Sequence, residues 1–395
     1  MTGRASREYV PGLVVALLLA PFVIKGGQLW PYQPHLADLD AYYYAVRGML
    51  RGEFIYDVAS PRMLLRFVYP PVAGVLMAPL AVGPYVFWQV AWTVLNVAAQ
   101  VEVLKRCGVR RGWTLGLITA GLLIAMEPIR TTLGYGQVNT LLMMLVVIDL
   151  LPAPAGRERW WPQGLFIGLA AAIKLTPLLF VVFLVFIGRR TSALVAAASF
   201  SFWTLVGYYA LPKESLFFWQ SLSDGLNTPE GALYVGNQAI SGAFARLISP
   251  EATQGATLMS GIVALLGVTV AAKWWQRHER VFAVGVVGLS LCLASPLSWT
   301  HHFVWALVLF ASLAQTRLPE WIRLAMGVGV VWISFGAPLM LPYGLAQELT
   351  YTPTQQLIGS FTPVWGTAFI IALVFDELRR IAVPIRLPAP EATPA

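Results

Sequence analysis

Residues 164–188 read GLFIGLAAAIKLTPLLFVVFLVFIG, an apolar run with a lysine and a proline at its centre. A membrane crossing takes about 20 apolar residues, so the run is long enough for one. Pro177 removes a helical hydrogen bond, and Lys174 puts a charge where hydrocarbon would lie. The pattern predicts a broken hairpin, two short helices that turn near Lys174 and return to the side they left. A single tilted helix is the alternative, and the choice sets the topology of everything downstream.

The rest of the chain is built to be embedded. Hydrophobic residues make up 57% of the 395 and charged residues only 12%, with a mean hydropathy of +0.67. A soluble protein carries about 25% charge. Apolar segments recur at 9–29, 84–105, 113–128, 138–151, 162–187, 192–211, 255–273, 281–296, 302–316, 321–341 and 357–378. Between them lie short basic clusters: Arg4/Arg7, Lys105/Arg106/Arg110/Arg111, Arg157/Arg159, Arg189/Arg190, Lys273/Arg277/Arg280, Arg317/Arg323 and Arg379/Arg380/Arg386. By the positive-inside rule these clusters are cytoplasmic. One crossing at 162–187 would throw Arg189 and Arg190 outside and invert every later cluster, whereas a hairpin keeps them all on one face.

The sequence therefore predicts an all-α polytopic membrane protein, with about 11–12 transmembrane helices and external amphipathic or re-entrant helices. Both termini fall inside the cell, at the plasma membrane. The first apolar segment lacks a small-residue cleavage site and reads as a retained helix rather than a removed leader. Residues 1–380 form a single transmembrane domain, and 381–395 a disordered cytoplasmic tail. The net charge of +8 follows from the positive-inside pattern and calls for no nucleic acid. Cys107 and Cys292 lie in unlike settings and are not expected to pair.

With this topology the polar segments 30–83, 129–137, the Lys174 turn, 212–254, 297–302 and 342–356 share the external face. They carry Asp38, Asp40, Tyr69, Gln137, Asn139, Lys174, Asn237, Arg246, His301 and His302. Polar residues gathered on one membrane face point to a site. Asp38 and Asp40 stand in PHLADLDAYYYAVRGML, where carboxylates at a membrane edge are costly unless they serve a purpose. The structural alternative makes them N-caps of the amphipathic helix that follows, with Tyr43, Val46 and Leu50 on one face and Arg47 and Arg51 on another. Gln137 and Asn139 could likewise cap the helix at 138–151. Glu127 is a further acidic candidate, with a pairing to Arg130 as its structural alternative. Most of the 15 tryptophans serve as interfacial belts.

Taken in order, these motifs resemble a known family. They are Asp38-Leu39-Asp40-Ala41-Tyr42-Tyr43, Gly52 with Tyr56-Asp57, Tyr69-Pro70-Pro71, Gly136-Gln137-Val138-Asn139 and Lys174 with Pro177. Asn237-Gln238 with Ser241 and Arg246 follows, then Ser295-Pro296-Leu297-Ser298-Trp299-Thr300-His301-His302. The chain is similar from about residue 35 to 305 to the GT-C type polyprenyl-phosphate-mannose-dependent α-mannosyltransferases of glycosyltransferase family 87. Members act in actinobacterial phosphatidylinositol mannoside and lipomannan assembly. The resemblance implies a GT-C-like fold, a polyprenyl-phosphate mannose donor, a glycolipid or lipoglycan acceptor, and Asp38 as general base.

The chemistry fits the residue types. An inverting transfer needs one carboxylate to take the acceptor hydroxyl's proton, and cations or donors to stabilise the departing phosphate. Asp38 or Asp40 can serve as base. Lys174, His301, His302 and Arg246 suit phosphate. Gln137, Asn139, Tyr69, Asn237 and Trp299 suit sugar or acceptor. Adjacent histidines on a helix point about 100° apart, so only one of the pair is expected to face the site. Asp-Leu-Asp also resembles the metal motif of nucleotide-sugar transferases, but that motif is short and nucleotides belong to the other face, so no metal or other cofactor is expected. The rival readings are a lipid-linked sugar flippase and a glycopolymer ligase that uses a lipid-diphosphate donor.

Overall fold

A computed structural model describes residues 36–109, 112–153, 159–223, 229–314 and 317–382. The first apolar segment, the Arg4/Arg7 cluster, Arg110/Arg111, Arg157 and the tail with Arg386 lie outside the described residues. The elements are α1 (Ala37–Leu50), α2 (Pro71–Leu76), α3 (Tyr85–Arg106), α4 (Gly112–Ala125), α5 (Glu127–Tyr135), α6 (Asn139–Leu150), α7 (Leu165–Ile173), α8 (Leu178–Phe186) and α9 (Arg190–Ala210). They continue with α10 (Pro212–Ser223), α11 (Pro229–Leu233), α12 (Ile240–Leu247), α13 (Thr253–Gln276), α14 (Arg280–Ala294), α15 (Ala306–Leu313), α16 (Glu320–Phe335) and α17 (Pro353–Ala382). A 3-10 turn over Thr300–Trp305 precedes α15.

The fold is all-α and polytopic. Four described helices are long and apolar enough to cross a membrane: Arg190–Ala210, Gly255–Gln276, Glu320–Met340 and Pro353–Arg380. The pair α4 and α5 makes a fifth if its 81° bend is taken as one broken span. Shorter apolar helices include α6 and α14, and α3 spans 22 residues. Exposed apolar stripes mark the lipid-facing sides. Leu324, Val328, Val331 and Phe335 run along α16, and Leu357, Val364, Ile371 and Phe375 along α17. These are helical spacings that water would penalise and hydrocarbon accepts.

The segment at 164–188 is a hairpin. α7 ends at Lys174, whose backbone is extended, and α8 begins after Pro177. The ends of the hairpin meet: Arg189 donates a hydrogen bond to Gln163, and Ser192 Oγ donates to the same Gln163 oxygen at 3.0 Å. Each arm has nine residues, or about 14 Å, half of a hydrocarbon core about 30 Å thick. The hairpin thus enters and leaves by one end of the bundle.

Two sequence features hold it there. Gly168 lets α7 pack backbone to backbone on α9, since a Cβ at that position would lie 2.3 Å from the Ala196 carbonyl. Asp149, at the end of α6, accepts the backbone N–H groups of Gly164, Phe166 and Ile167 at 2.9–3.1 Å. Its other oxygen takes the Trp161 indole N–H at 3.1 Å. Asp149 therefore satisfies the free N–H groups at the start of α7 across a gap in sequence.

Basic residues collect at the end of the bundle where the hairpin opens. Arg189 and Arg280 lie over Trp275, Arg277 and Arg380 over Trp274, and Arg277 pairs with Glu377. Arg106 reaches the Leu151 carbonyl at 3.1 Å. Lys174, at the hairpin tip, faces the opposite way. Cys107 and Cys292 are buried and do not form a disulfide with each other.

Asp149→Ala leaves four N–H donors without their acceptor. A loss of about 2–4 kcal/mol in stability is expected, read as a lower melting temperature in detergent. An unchanged melting temperature would remove Asp149 as the clasp of the hairpin.

Candidate active site

The hairpin tip opens into a cavity of about 1180 Å³. Its wall includes Asp38, Tyr42, Tyr69, Thr131, Tyr135, Gln137, Lys174, Trp299, Thr300, His301 and His302. These come from α1, the loop before α2, α5, the α5–α6 turn, the hairpin and the 3-10 turn. Apolar residues, among them Met63, Val68, Leu175, Phe218 and Leu341, complete it, and Met63 and Val68 are exposed at the surface.

Lys174 is half-buried and held by neutral partners. Its Nζ donates to Asn139 Oδ1 at 3.2 Å, lies 3.1 Å from His302 Nε2, and sits 5.6 Å from the centre of the Tyr69 ring. Among the described residues no carboxylate lies within ion-pair distance of it. His302 accepts the Trp299 backbone N–H at Nδ1 (3.2 Å), which puts its proton on Nε2, so a histidine N–H and the lysine ammonium stand side by side as donors. The carbonyl of His301 is pinned by Thr132 Oγ1 and Asn139 Nδ2, both at 3.0 Å. The His301 Nε2 has no partner among the described residues. Both histidines line the cavity, where only one was expected to. The 3-10 turn, kinked at Phe303, replaces the α-helical spacing and sets the two rings at 86° against the same space.

Asp38 stands across from this cluster. Its amide partner, Gln137, is oriented by two hydroxyls: Tyr69 and Tyr42 donate to Gln137 Oε1 at 2.9 and 3.2 Å. With its carbonyl so occupied, Gln137 turns its NH₂ to Asp38. α1 lies in the 30–83 segment, away from the spans. Burial pushes the Asp38 carboxyl up to about 6, while the Gln137 hydrogen bond and the Lys174 charge pull the other way.

Asp38 and Asp40 part company. Both lie in the first turn of α1, whose N-cap is Leu36, so neither is the N-cap the sequence offered as an alternative. Two residues apart on a helix means about 200° of rotation. Asp38 faces the cavity, while Asp40 is buried away from it beside Arg62, 3.4 Å from its Nε. They do not form a joint ligand pair.

Arg246 and Asn237 are not in the cavity either. Arg246 is buried and donates to the carbonyls of Tyr234 (3.1 Å), Asn237 (3.0 Å) and Gly359 (3.1 Å) and to Ser360 Oγ (3.2 Å). Pro363 explains the Gly359 contact, because a proline inside α17 has no N–H to give the carbonyl four residues back. Asn237 is fully buried. Its Oδ1 accepts the N–H of Ser298 and of Ala239, and its backbone bridges to Trp299. Both residues brace the turn that presents Trp299 and the histidines. Asn139 likewise acts through Lys174 and His301. Glu127 makes no ion pair with Arg130 and instead accepts from Thr131 and Thr300. Tyr42, Tyr135, Thr131 and Thr300 line the cavity and were not singled out in the sequence.

Fold and site define a polytopic membrane protein with a large, charge-lined cavity fed by short broken helices. The chain belongs to glycosyltransferase family 87, whose model matches residues 67–296. It is 31% identical to a polyprenol-phosphate-mannose-dependent alpha-(1-2)-phosphatidylinositol mannoside mannosyltransferase of Mycobacterium tuberculosis, over 87% of this chain and 86% of that protein. It is 30% identical to the protein of the same description from Mycolicibacterium smegmatis, over 90% and 88%. An alpha-(1->3)-arabinofuranosyltransferase of Mycobacterium tuberculosis is 26% identical over 84% of each chain. No solved structure matches.

Arg246→Lys loses the planar fork that reaches several carbonyls at once. A lower melting temperature with an unchanged donor KM in the folded protein is expected. A raised donor KM at unchanged stability would return Arg246 to the phosphate site.

Proposed function

We propose that the protein transfers a mannosyl residue from polyprenyl-phosphate mannose to a phosphatidylinositol mannoside or related glycolipid, with inversion, on the external face of the plasma membrane. The observation that carries the reading is the pairing of Asp38 with Lys174 across one cavity. A cation held by a neutral amide, at the tip of a half-depth hairpin, is costly unless an anion arrives to neutralise it. A sugar phosphate supplies that anion.

In this reading the donor's phosphate rests against Lys174, with His302 beside it and the unpartnered His301 Nε2 free to donate or accept a further hydrogen bond. The exposed apolar rim at Met63 and Val68 suits a lipid entering from the side. The acceptor hydroxyl attacks the anomeric carbon opposite the phosphate. Its proton passes to the Asp38 carboxylate as the carbon–phosphate oxygen bond breaks. The bonding electrons leave with the phosphate, where Lys174 stabilises the added charge. Gln137 holds Asp38 in place, and Trp299, beside Tyr234 at 5.4 Å, offers an aromatic face to a sugar. The relatives' descriptions favour mannose and a phosphatidylinositol mannoside; the arabinofuranosyltransferase at 26% identity makes a pentose the sugar to test against it.

Sidedness rests on charge. In this reading the arginines at the open end of the hairpin lie at the cytoplasmic face, and the cavity with its lipid-phosphate donor opens outside, where nucleotide sugars are absent.

The test uses purified protein in nanodiscs with radiolabelled polyprenyl-phosphate mannose and phosphatidylinositol mannoside. Wild type and Asp40→Asn are expected to make labelled glycolipid, and Asp38→Asn none. Because the base must be ionised and its pKa is raised to about 6, kcat/KM is expected to fall as pH drops through about 6. Gln137→Leu removes a bond that favours the carboxylate, so its limb moves to higher pH. Full activity of Asp38→Asn would remove Asp38 as the base.

A further inference from the structure

Behind the cavity wall lies a carboxylate with no place in the transfer step. Glu127 opens α5 and is completely buried. Its Oε1 accepts from Thr131 Oγ1 at 2.7 Å and from Thr300 Oγ1 at 3.0 Å. Both threonines line the active cavity, and Thr300 is the first residue of the turn that carries His301 and His302. Gly336, at φ 68°, lies so close that a Cβ there would stand 2.7 Å from Glu127 Cγ. The carboxylate is thus clamped from both sides.

Among the described residues its second oxygen, Oε2, has no partner. Nor do Gln238 Oε1 and Trp332 Nε1. All three residues line one small cavity with about 10 Å³ open to the centre of a water molecule, which is room for one. Gln238 cannot be flipped to change this, because its Nε2 donates to the carbonyls of Val235 (2.7 Å) and Gly359 (2.8 Å). The cavity therefore presents two acceptors and one donor. One water matches that set: it accepts from Trp332 and donates to Glu127 and Gln238.

We propose that Glu127 is a positioning residue for the histidine-bearing turn, held by one buried water shared with Gln238 and Trp332. The role rests on the transferase reading above, whereas the water does not. The water ties α5, the segment before α12 and α16 together behind the turn, and Glu127 passes that rigidity to Thr300 and so to the two imidazoles. A small displacement of the catalytic frame is enough to cost a large factor in rate.

The test pairs a cryo-EM map that resolves ordered waters with kinetics of four variants. Density within hydrogen-bond reach of Glu127 Oε2, Gln238 Oε1 and Trp332 Nε1 is expected. Glu127→Ala and Thr300→Val should each lower kcat roughly tenfold or more at unchanged donor KM, and the double variant should lose no more than either alone. Glu127→Gln keeps the threonine contacts and lets the water turn, so it should retain most of kcat. A dry cavity, or Glu127 bonded directly to Gln238, overturns the water. Multiplying losses in the double variant, or Glu127→Gln as inactive as Glu127→Ala, overturns the positioning role. If Glu127→Ala fails to fold, Glu127→Gln and Thr300→Val still decide it. Wild-type protein that transfers nothing would instead refute the transferase reading, and the positioning role with it, while the map still judges the water.

Discussion

A lysine cannot sit unattended in the middle of an apolar segment, and the architecture of the site follows from that constraint. Breaking the segment at Lys174 costs helical hydrogen bonds, and Pro177 makes the break the favoured solution. The result is a half-depth hairpin whose tip reaches Asn139, His302 and Tyr69. The same break returns the chain to its starting side, so the arginines that follow stay with those that precede. One local electrostatic problem thereby sets both the polarity of the chain and the position of the cavity's cation.

Around that tip the chain separates groups that face the cavity from groups that hold them. Asp38, Lys174 and the histidine pair face the space. Gln137 aligns Asp38, Asn139 aligns Lys174 and the His301 carbonyl, and Asn237 with Arg246 braces the turn at 298–302. Pro363 contributes from far along the chain by freeing a carbonyl for Arg246 and Gln238. The polar residues that do not touch the cavity are therefore what make its geometry stiff.

The sequence carried the fold class, the hairpin, the bounds of several long helices such as α3, α6 and α9, and the family resemblance, because each rests on local pattern: apolar length, charge asymmetry, a proline beside a charge. It carried Asp38, Lys174 and the histidines as candidates because charges at a membrane edge stand out. It did not separate Asp38 from Asp40. Helical rotation says the two diverge, but only the packing of α1 on its neighbours says which one meets the cavity. Arg246 was misplaced for a related reason. An arginine in a polar segment reads as a ligand, and the carbonyls that claim it include one freed by a proline more than a hundred residues later. Thr131 and Thr300, though they stand in the polar segments 129–137 and 297–302, were not read as site residues, because a threonine carries no signal until a buried carboxylate is seen behind it. The 81° bend between α4 and α5 was also hidden, since Glu127-Pro128 reads equally well as the end of a span.

The central claim is that Lys174 and Asp38 divide the work on one lipid-phosphate-linked sugar. A cryo-EM structure of the protein in nanodiscs with a non-transferable polyprenyl-phosphate mannose analogue tests it most directly. The account predicts the phosphate against Lys174 and the His301–His302 turn, with the anomeric carbon facing Asp38 across a gap that an acceptor hydroxyl can fill. A phosphate bound away from Lys174, or a sugar whose anomeric carbon is turned from Asp38, would contradict it.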